Sequence, residues 1–87
     1  MHPNDAALDV ELVTRKGCHL CDVALEVLRA AAHRRPLRIR LLDVDEDAEL
    51  LAQYDLRVPV VRLGGRNLCE GVITPSRLEA ALASAAA

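Results

Sequence analysis

Aromatic side chains are almost missing from this sequence. It has no Trp and no Phe, and Tyr54 is its one ring. Modules that bind nucleic acid by stacking bases on aromatic platforms are thereby excluded. Strong charge of either sign is missing too. With 11 basic and 13 acidic residues the net charge is −2, which argues against a protein held to nucleic acid by phosphate neutralisation. No apolar run approaches the ~20 residues of a membrane span. The opening MHPNDAALDVEL carries acids early and has no continuous apolar stretch. No secretory signal is expected, and the cytoplasm is the expected compartment. Cysteine is scarce and odd in number, three in all, which excludes a secreted disulfide framework.

What is present is a small globular composition. The chain has 87 residues, 52% apolar and 28% charged. One domain over 1–87 is expected, with residues 1–7 as a loose leader and 83–87 as a frayed tail. Leu8 to Thr14 reads as a strand, and Arg15-Lys16-Gly17 as a basic turn. Leu20, Val23, Ala24, Val27, Leu28 and Ala31 then recur at helical spacing. That helix ends before Pro36. Leu37-Arg38-Ile39-Arg40-Leu41 alternates, and its Arg pair suits an edge strand.

Asp43, Asp45, Glu46 and Asp47 read as capping acids rather than a metal site, with Asp45 or Asp47 capping the next helix. Ala48, Leu51, Ala52 and Tyr54 are expected to form that helix's buried face. A strand begins at Val58, and Gly64-Gly65 reads as a hairpin turn into Asn67 to Glu70. Thr74-Pro75 starts a last helix with Leu78, Ala81, Leu82 and Ala85 on its apolar face. The order is β-α-β-α-β-β-α: an α/β chain with a four-stranded mixed sheet, a parallel pair, a late antiparallel hairpin and helices on both faces.

The chemistry concentrates at Cys18-His19-Leu20-Cys21. The pair falls where the first strand meets the first helix, the usual place for chemistry in open α/β sheets. Unpaired N–H groups and the helix dipole stabilise an anion at Cys18, and Arg15 and Lys16 add positive charge. Such surroundings lower a thiol pKa, while Asp22 one turn on opposes the effect. Cys21 is spaced to close a disulfide with Cys18. Cys18 therefore reads as the attacking thiol and Cys21 as the resolving one. A metal or iron–sulfur carrier and an inert pair are the alternatives. A closed zinc site would have to recruit Cys69 and His residues, because there is no second C-x-x-C.

His19 is a candidate for tuning the thiolate. His2 and His33 read as surface residues. Cys69 reads as a buried small apolar residue, and Tyr54 as packing. Pro59 either opens its strand in the ordinary way or follows a cis Val58–Pro59 bond.

Together these residues resemble a family. Lys16-Gly17-Cys18-His19-Leu20-Cys21-Asp22, Leu42-Asp43-Val44-Asp45 and Leu56-Arg57-Val58-Pro59-Val60, in this element order, are similar to the thioredoxin fold in its minimal glutaredoxin form. The small bacterial glutaredoxin-like domains with Cys-His-Leu-Cys are the nearest type. The resemblance runs from about Leu8 to Leu82. It implies a thiol–disulfide oxidoreductase acting in electron transport and cell redox homeostasis. It implies a cis Pro59 beside Cys18, with Val58 offering backbone groups to an extended thiol substrate. Arg15, Lys16, His19, Leu20, Arg57, Val58 and Pro59 become the expected substrate-contacting residues, with Arg15 and Arg57 drawing an anion.

No bound cofactor or metal is expected, and glutathione is a candidate reductant. The expected partner is a disulfide-containing protein or small thiol, met by a monomer without nucleic acid or membrane. A non-catalytic binding module on the same fold is the rival reading. Three departures stand out. Glutaredoxins carry Pro-Tyr where this chain has His19-Leu20. Thioredoxins carry Trp where it has Gly17. The glutathione-binding Gly-Gly-x-Asp turn is replaced by Cys69-Glu70-Gly71-Val72.

Overall fold

The computed structural model describes residues 7–86. Residues 1–6 of the leader, His2 among them, lie outside the described residues, as does Ala87 at the end of the tail. Strand β1 (Leu8–Thr14) is followed by helix α1 (His19–Ala32), β2 (Leu37–Asp43), a single 3₁₀ turn (Val44–Glu46) and α2 (Ala48–Tyr54). Strands β3 (Val60–Leu63) and β4 (Arg66–Glu70) and helix α3 (Pro75–Ala86) complete the chain. The expected element order is the observed one. The strands form one four-stranded sheet in the order β2-β1-β3-β4. β1 and β2 are parallel, and the other two pairings are antiparallel.

The local causes are visible at the boundaries. Gly64 and Gly65 both hold positive φ, at 57° and 80°, as a two-residue hairpin turn between twisted strands requires. The Thr74 hydroxyl accepts from the Arg77 N–H at 3.2 Å and caps α3. That helix runs to Ala86, through most of the alanine-rich tail expected to fray.

The sheet has two differently furnished faces. On one, Ala24, Leu28 and Ala31 of α1, Leu78 and Leu82 of α3, and Ile73 from the loop before α3 cover Val10, Leu12 and Val61 to make the larger core. On the other, Val13, Val44, Tyr54 and Val60 form a smaller cluster. Beyond α2, the same face carries a charged ladder. Arg38 bonds to Asp9 at 2.6 Å, and Arg62 pairs with Glu11 at 2.7 Å. Registers Asp9↔Arg38, Glu11↔Arg40 and Glu11↔Arg62 set these groups side by side. Opposite charges set side by side across strands stabilise the sheet.

Three sequence expectations are corrected here. The buried stripe of α2 is not Ala48, Leu51 and Ala52, which are exposed. Tyr54 is buried, and the half-buried Leu50 packs against its cluster. Burial of Tyr54 agrees with the expectation; Leu50, four residues before the ring, takes the place expected for Leu51, three before it, and both spacings are helical. Strand β3 starts at Val60, two residues later than expected, because the Val58 N–H is bonded to the Tyr54 carbonyl and Pro59 has no N–H to give the ladder. Cys69 is half-buried against the larger core rather than buried.

Candidate functional site

Register brings four loops to one end of the sheet. Thr14 pairs with Asp43, Val13 with Val60, and Val60 with Glu70. The chain therefore leaves β1, leaves β2, enters β3 and leaves β4 at the same end. Residues 15–18, 44–47, 55–59 and 71–74 are gathered there, although no two of these loops adjoin in sequence.

Cys18 is the N-cap of α1. Its backbone is extended, with φ −97° and ψ 109°, and its Sγ accepts from the Cys21 N–H at 3.2 Å. Its carbonyl accepts from the Asp22 N–H at 3.1 Å and starts the helical ladder. Gly17, at φ +76°, turns the chain into this cap. A side chain there would meet no neighbour, but the left-handed backbone itself favours glycine. The Cys18 and Cys21 Cα atoms are 5.2 Å apart, and the two sulfurs are at disulfide distance. The two thiols are not equivalent. Cys18 is half-buried, whereas Cys21 is 1% exposed. His19 and Leu20 between them are exposed.

In the loop before β3 the cis Val58–Pro59 bond agrees with the expectation from the resemblance. Pro59 is buried, and its carbonyl accepts from the Gly71 N–H at 3.0 Å. The Val58 N–H is already bonded to the Tyr54 carbonyl at 3.2 Å. The Val58 N–H expected to be offered outward is thus spent within the fold.

The cations expected to draw an anion are engaged. Arg15 grips Asp45 through two nitrogens at 2.9 and 3.0 Å. It also reaches the Asp55 carboxylate at 2.7 Å and the Asp55 carbonyl at 2.9 Å. This one guanidinium ties the 15–18 turn to the loops after β2 and before β3. Its bond holds the Asp45 carboxyl below the ordinary range and pushes the Arg15 guanidinium further up. Arg57 pairs with Glu70 at 2.8 Å and lies 5.1 Å from the Tyr54 ring centre. The same pairing lowers the Glu70 carboxyl. Lys16 is exposed and has no partner among the described residues.

Asp47, not Asp45, caps α2, accepting from the Glu49 and Leu50 N–H groups at 2.9 and 3.1 Å. Asp43 caps the 3₁₀ turn, its carboxylate accepting from the Asp45 N–H at 2.9 Å. A cavity of about 370 Å³ opens beside Cys21, lined by Lys16, Asp22, Leu41 and Glu46 among others. Away from the dithiol, burial pushes the Cys69 thiol up, with Arg77 pulling the other way.

Sequence reasoning missed Asp55 and Glu70, the acids that occupy Arg15 and Arg57. No local signal marks them, since each arginine lies at least 13 residues from its partner.

This architecture, with a disulfide-capable cysteine pair heading its first helix and a cis proline at the same end of the sheet, defines a thioredoxin-fold protein of redox-capable type. The chain belongs to the glutaredoxin-like domain family (DUF836), whose model matches residues 9–83. It is 38% identical to the structural-genomics target protein XcR50 from X. campestris, covering 86% of this chain and 96% of that one at a TM-score of 0.74. A mutant thioredoxin from Halobacterium salinarum shares the fold at 23% identity and a TM-score of 0.66, covering 93% of this chain and 76% of that one. Thioredoxin O2 from Arabidopsis thaliana, in its oxidised state, shares it at 20% identity and a TM-score of 0.64, with 94% and 81% covered. No curated protein matches the sequence. Among the described residues no helix is long and apolar enough to cross a membrane.

Proposed function

We propose that the protein is a thiol–disulfide oxidoreductase. The observation that carries this reading is the asymmetry of the pair: Cys18 caps the helix and accepts an N–H at 3.2 Å, while Cys21 is buried one turn behind it. A hydrogen-bonded sulfur at a helix N-terminus is favoured as thiolate, and the thiolate is the nucleophile.

The Cys18 thiolate attacks one sulfur of a substrate disulfide. A mixed disulfide forms, and the substrate's other sulfur leaves as a thiolate and takes up a proton. Cys21 then loses its proton and attacks the Cys18 sulfur. The Cys18–substrate bond breaks, the second substrate thiol departs, and the Cys18–Cys21 disulfide remains. Two electrons have passed from the dithiol to the substrate. An external thiol reductant, glutathione being one candidate, returns them. In this reading Lys16, His19, Leu20 and the Val58 backbone meet the substrate. Arg15, Arg57 and Pro59 shape the loops that carry it. A reducing compartment such as the cytoplasm suits this direction of transfer.

Trapping tests the assignment of roles. Cys21→Ser is expected to accumulate a mixed disulfide with a model disulfide, and Cys18→Ser to form none. If Cys18→Ser reduced the model disulfide at the parent rate, the mechanism would be wrong.

A further inference from the structure

The cavity of about 370 Å³ beside Cys21 has two kinds of wall. Cys21, Leu25 and Leu41 supply apolar surface, and Leu41, on the edge strand β2, is 49% exposed. Asp22, Asp43 and Glu46 bring carboxylates to the same space. Among the described residues the Asp22 and Glu46 carboxylates have no hydrogen-bond or ion-pair partner, and that of Asp43 accepts the Asp45 N–H. Two cations also line the cavity. Arg15 is committed to Asp45 and Asp55, which leaves Lys16 against three acids. The cavity therefore carries surplus negative charge.

Lys and Arg side chains have the complementary build, an apolar stem and a charged head. Here the stem loses water against Leu25 and Leu41 while the head meets the acids. A bare metal ion fits less well, because among the described residues no group of three His, Cys, Asp or Glu side chains is placed to hold one. The location ties the cavity to the dithiol. Cys21 is one of its walls, and the Cys18 Cα is only 5.2 Å from that of Cys21. A long side chain beside a substrate half-cystine held at Cys18 has the reach to enter it.

We propose that this cavity is a specificity pocket for a Lys or Arg side chain flanking the disulfide of a partner protein, with Asp22 and Glu46 selecting it. This deepens the dithiol-exchange reading and rests on it. The bonds exchanged are those already described; the pocket adds binding.

Three short peptide disulfides test it, identical except for Lys, Gln or Glu beside the half-cystine. The second-order rate constant for oxidation of the reduced protein is measured with each. Each rate is divided by that of the same peptide with dithiothreitol, which cancels the peptide's own reactivity. The Lys peptide is expected to react about fivefold faster than the Gln peptide, and the Glu peptide slower than both. The Lys-to-Gln ratio is the readout, because a change in Cys18 reactivity moves both rates together. Asp22→Asn combined with Glu46→Gln is expected to bring the two peptides to equal rates, and Glu46→Asp alone to keep the difference. Glu26 is an exposed acid of α1 outside the cavity, and Glu26→Gln is expected to leave the ratio as in the parent. Equal rates with the parent protein, a preference that survives the double substitution, or one lost equally with Glu26→Gln overturns the pocket and leaves dithiol exchange intact. A reduced protein that none of the three peptides oxidises overturns the oxidoreductase reading and the pocket with it.

Discussion

At the scale of single residues, Cys18 does two jobs. It is a helix cap as well as a thiol, because its sulfur accepts the Cys21 N–H. The two roles separate by substitution. In the reduced protein Cys18→Ala is expected to lose about 1 kcal/mol through the missing cap, whereas Cys18→Ser keeps an acceptor and stays near the parent. Thermal or urea unfolding of the two variants under reducing conditions measures the difference. Cys69 is the contrasting thiol. It is half-buried, and desolvation raises its pKa. Its alkylation at about pH 8 is expected to be slower than that of reduced Cys18, since rate follows the thiolate fraction and access. Mass-resolved labelling with iodoacetamide reports both sites in one experiment.

At the scale of elements, α2 depends on its ends. It spans Ala48–Tyr54, is short for an independent helix, and buries only Tyr54 fully. Asp47 satisfies two N–H groups at its start, and the Tyr54 hydroxyl donates to the Asn67 side-chain carbonyl at 2.9 Å near its end. Asp47→Ala is expected to cost about 1 kcal/mol, read from the unfolding midpoint, while Asp47→Ser recovers most of it. This element also shows where sequence reading stops. Its cap was legible, because an acid before a helical stretch has a local partner two or three residues on. Its buried face was legible only at Tyr54, because Leu50 and Leu51, four and three residues before the ring, fit helical spacing equally and the choice between them depended on the sheet beneath.

At the scale of the whole molecule, salt links fasten elements that helical and strand bonds leave apart. Arg34 and Arg35 both pair with Glu79, joining the end of α1 to α3 at 2.9 and 2.8 Å. Asp9, Asp45, Glu70 and Glu79 all have carboxyl pKa values lowered in the fold, chiefly by hydrogen bonds to arginine. A lowered folded pKa means stability that is present above the unfolded values of 3.8 for Asp and 4.5 for Glu. It is lost as pH falls through the still lower folded values. These groups are surface ones, so each contribution is small and screened by salt. The urea midpoint is expected to decline from about pH 5 downward, with a shallower decline at high salt. A midpoint that stays level down to about pH 3 would show that the links do not matter to stability.

Much of this protein was decided within short stretches of chain. The order of strands and helices, the hairpin at Gly64-Gly65, the cap at Thr74 and the dithiol at a strand-to-helix junction follow from periodicity, turn chemistry and spacing, whose partners lie within a few residues. Tertiary structure alone decided which charges were spent. Arg15 looked like a free cation beside Cys18, yet it is held by acids 30 and 40 residues away. Arg57 is likewise held by Glu70. Those pairings exist because sheet register delivers four separate loops to one end, and register is a property of the assembled strands.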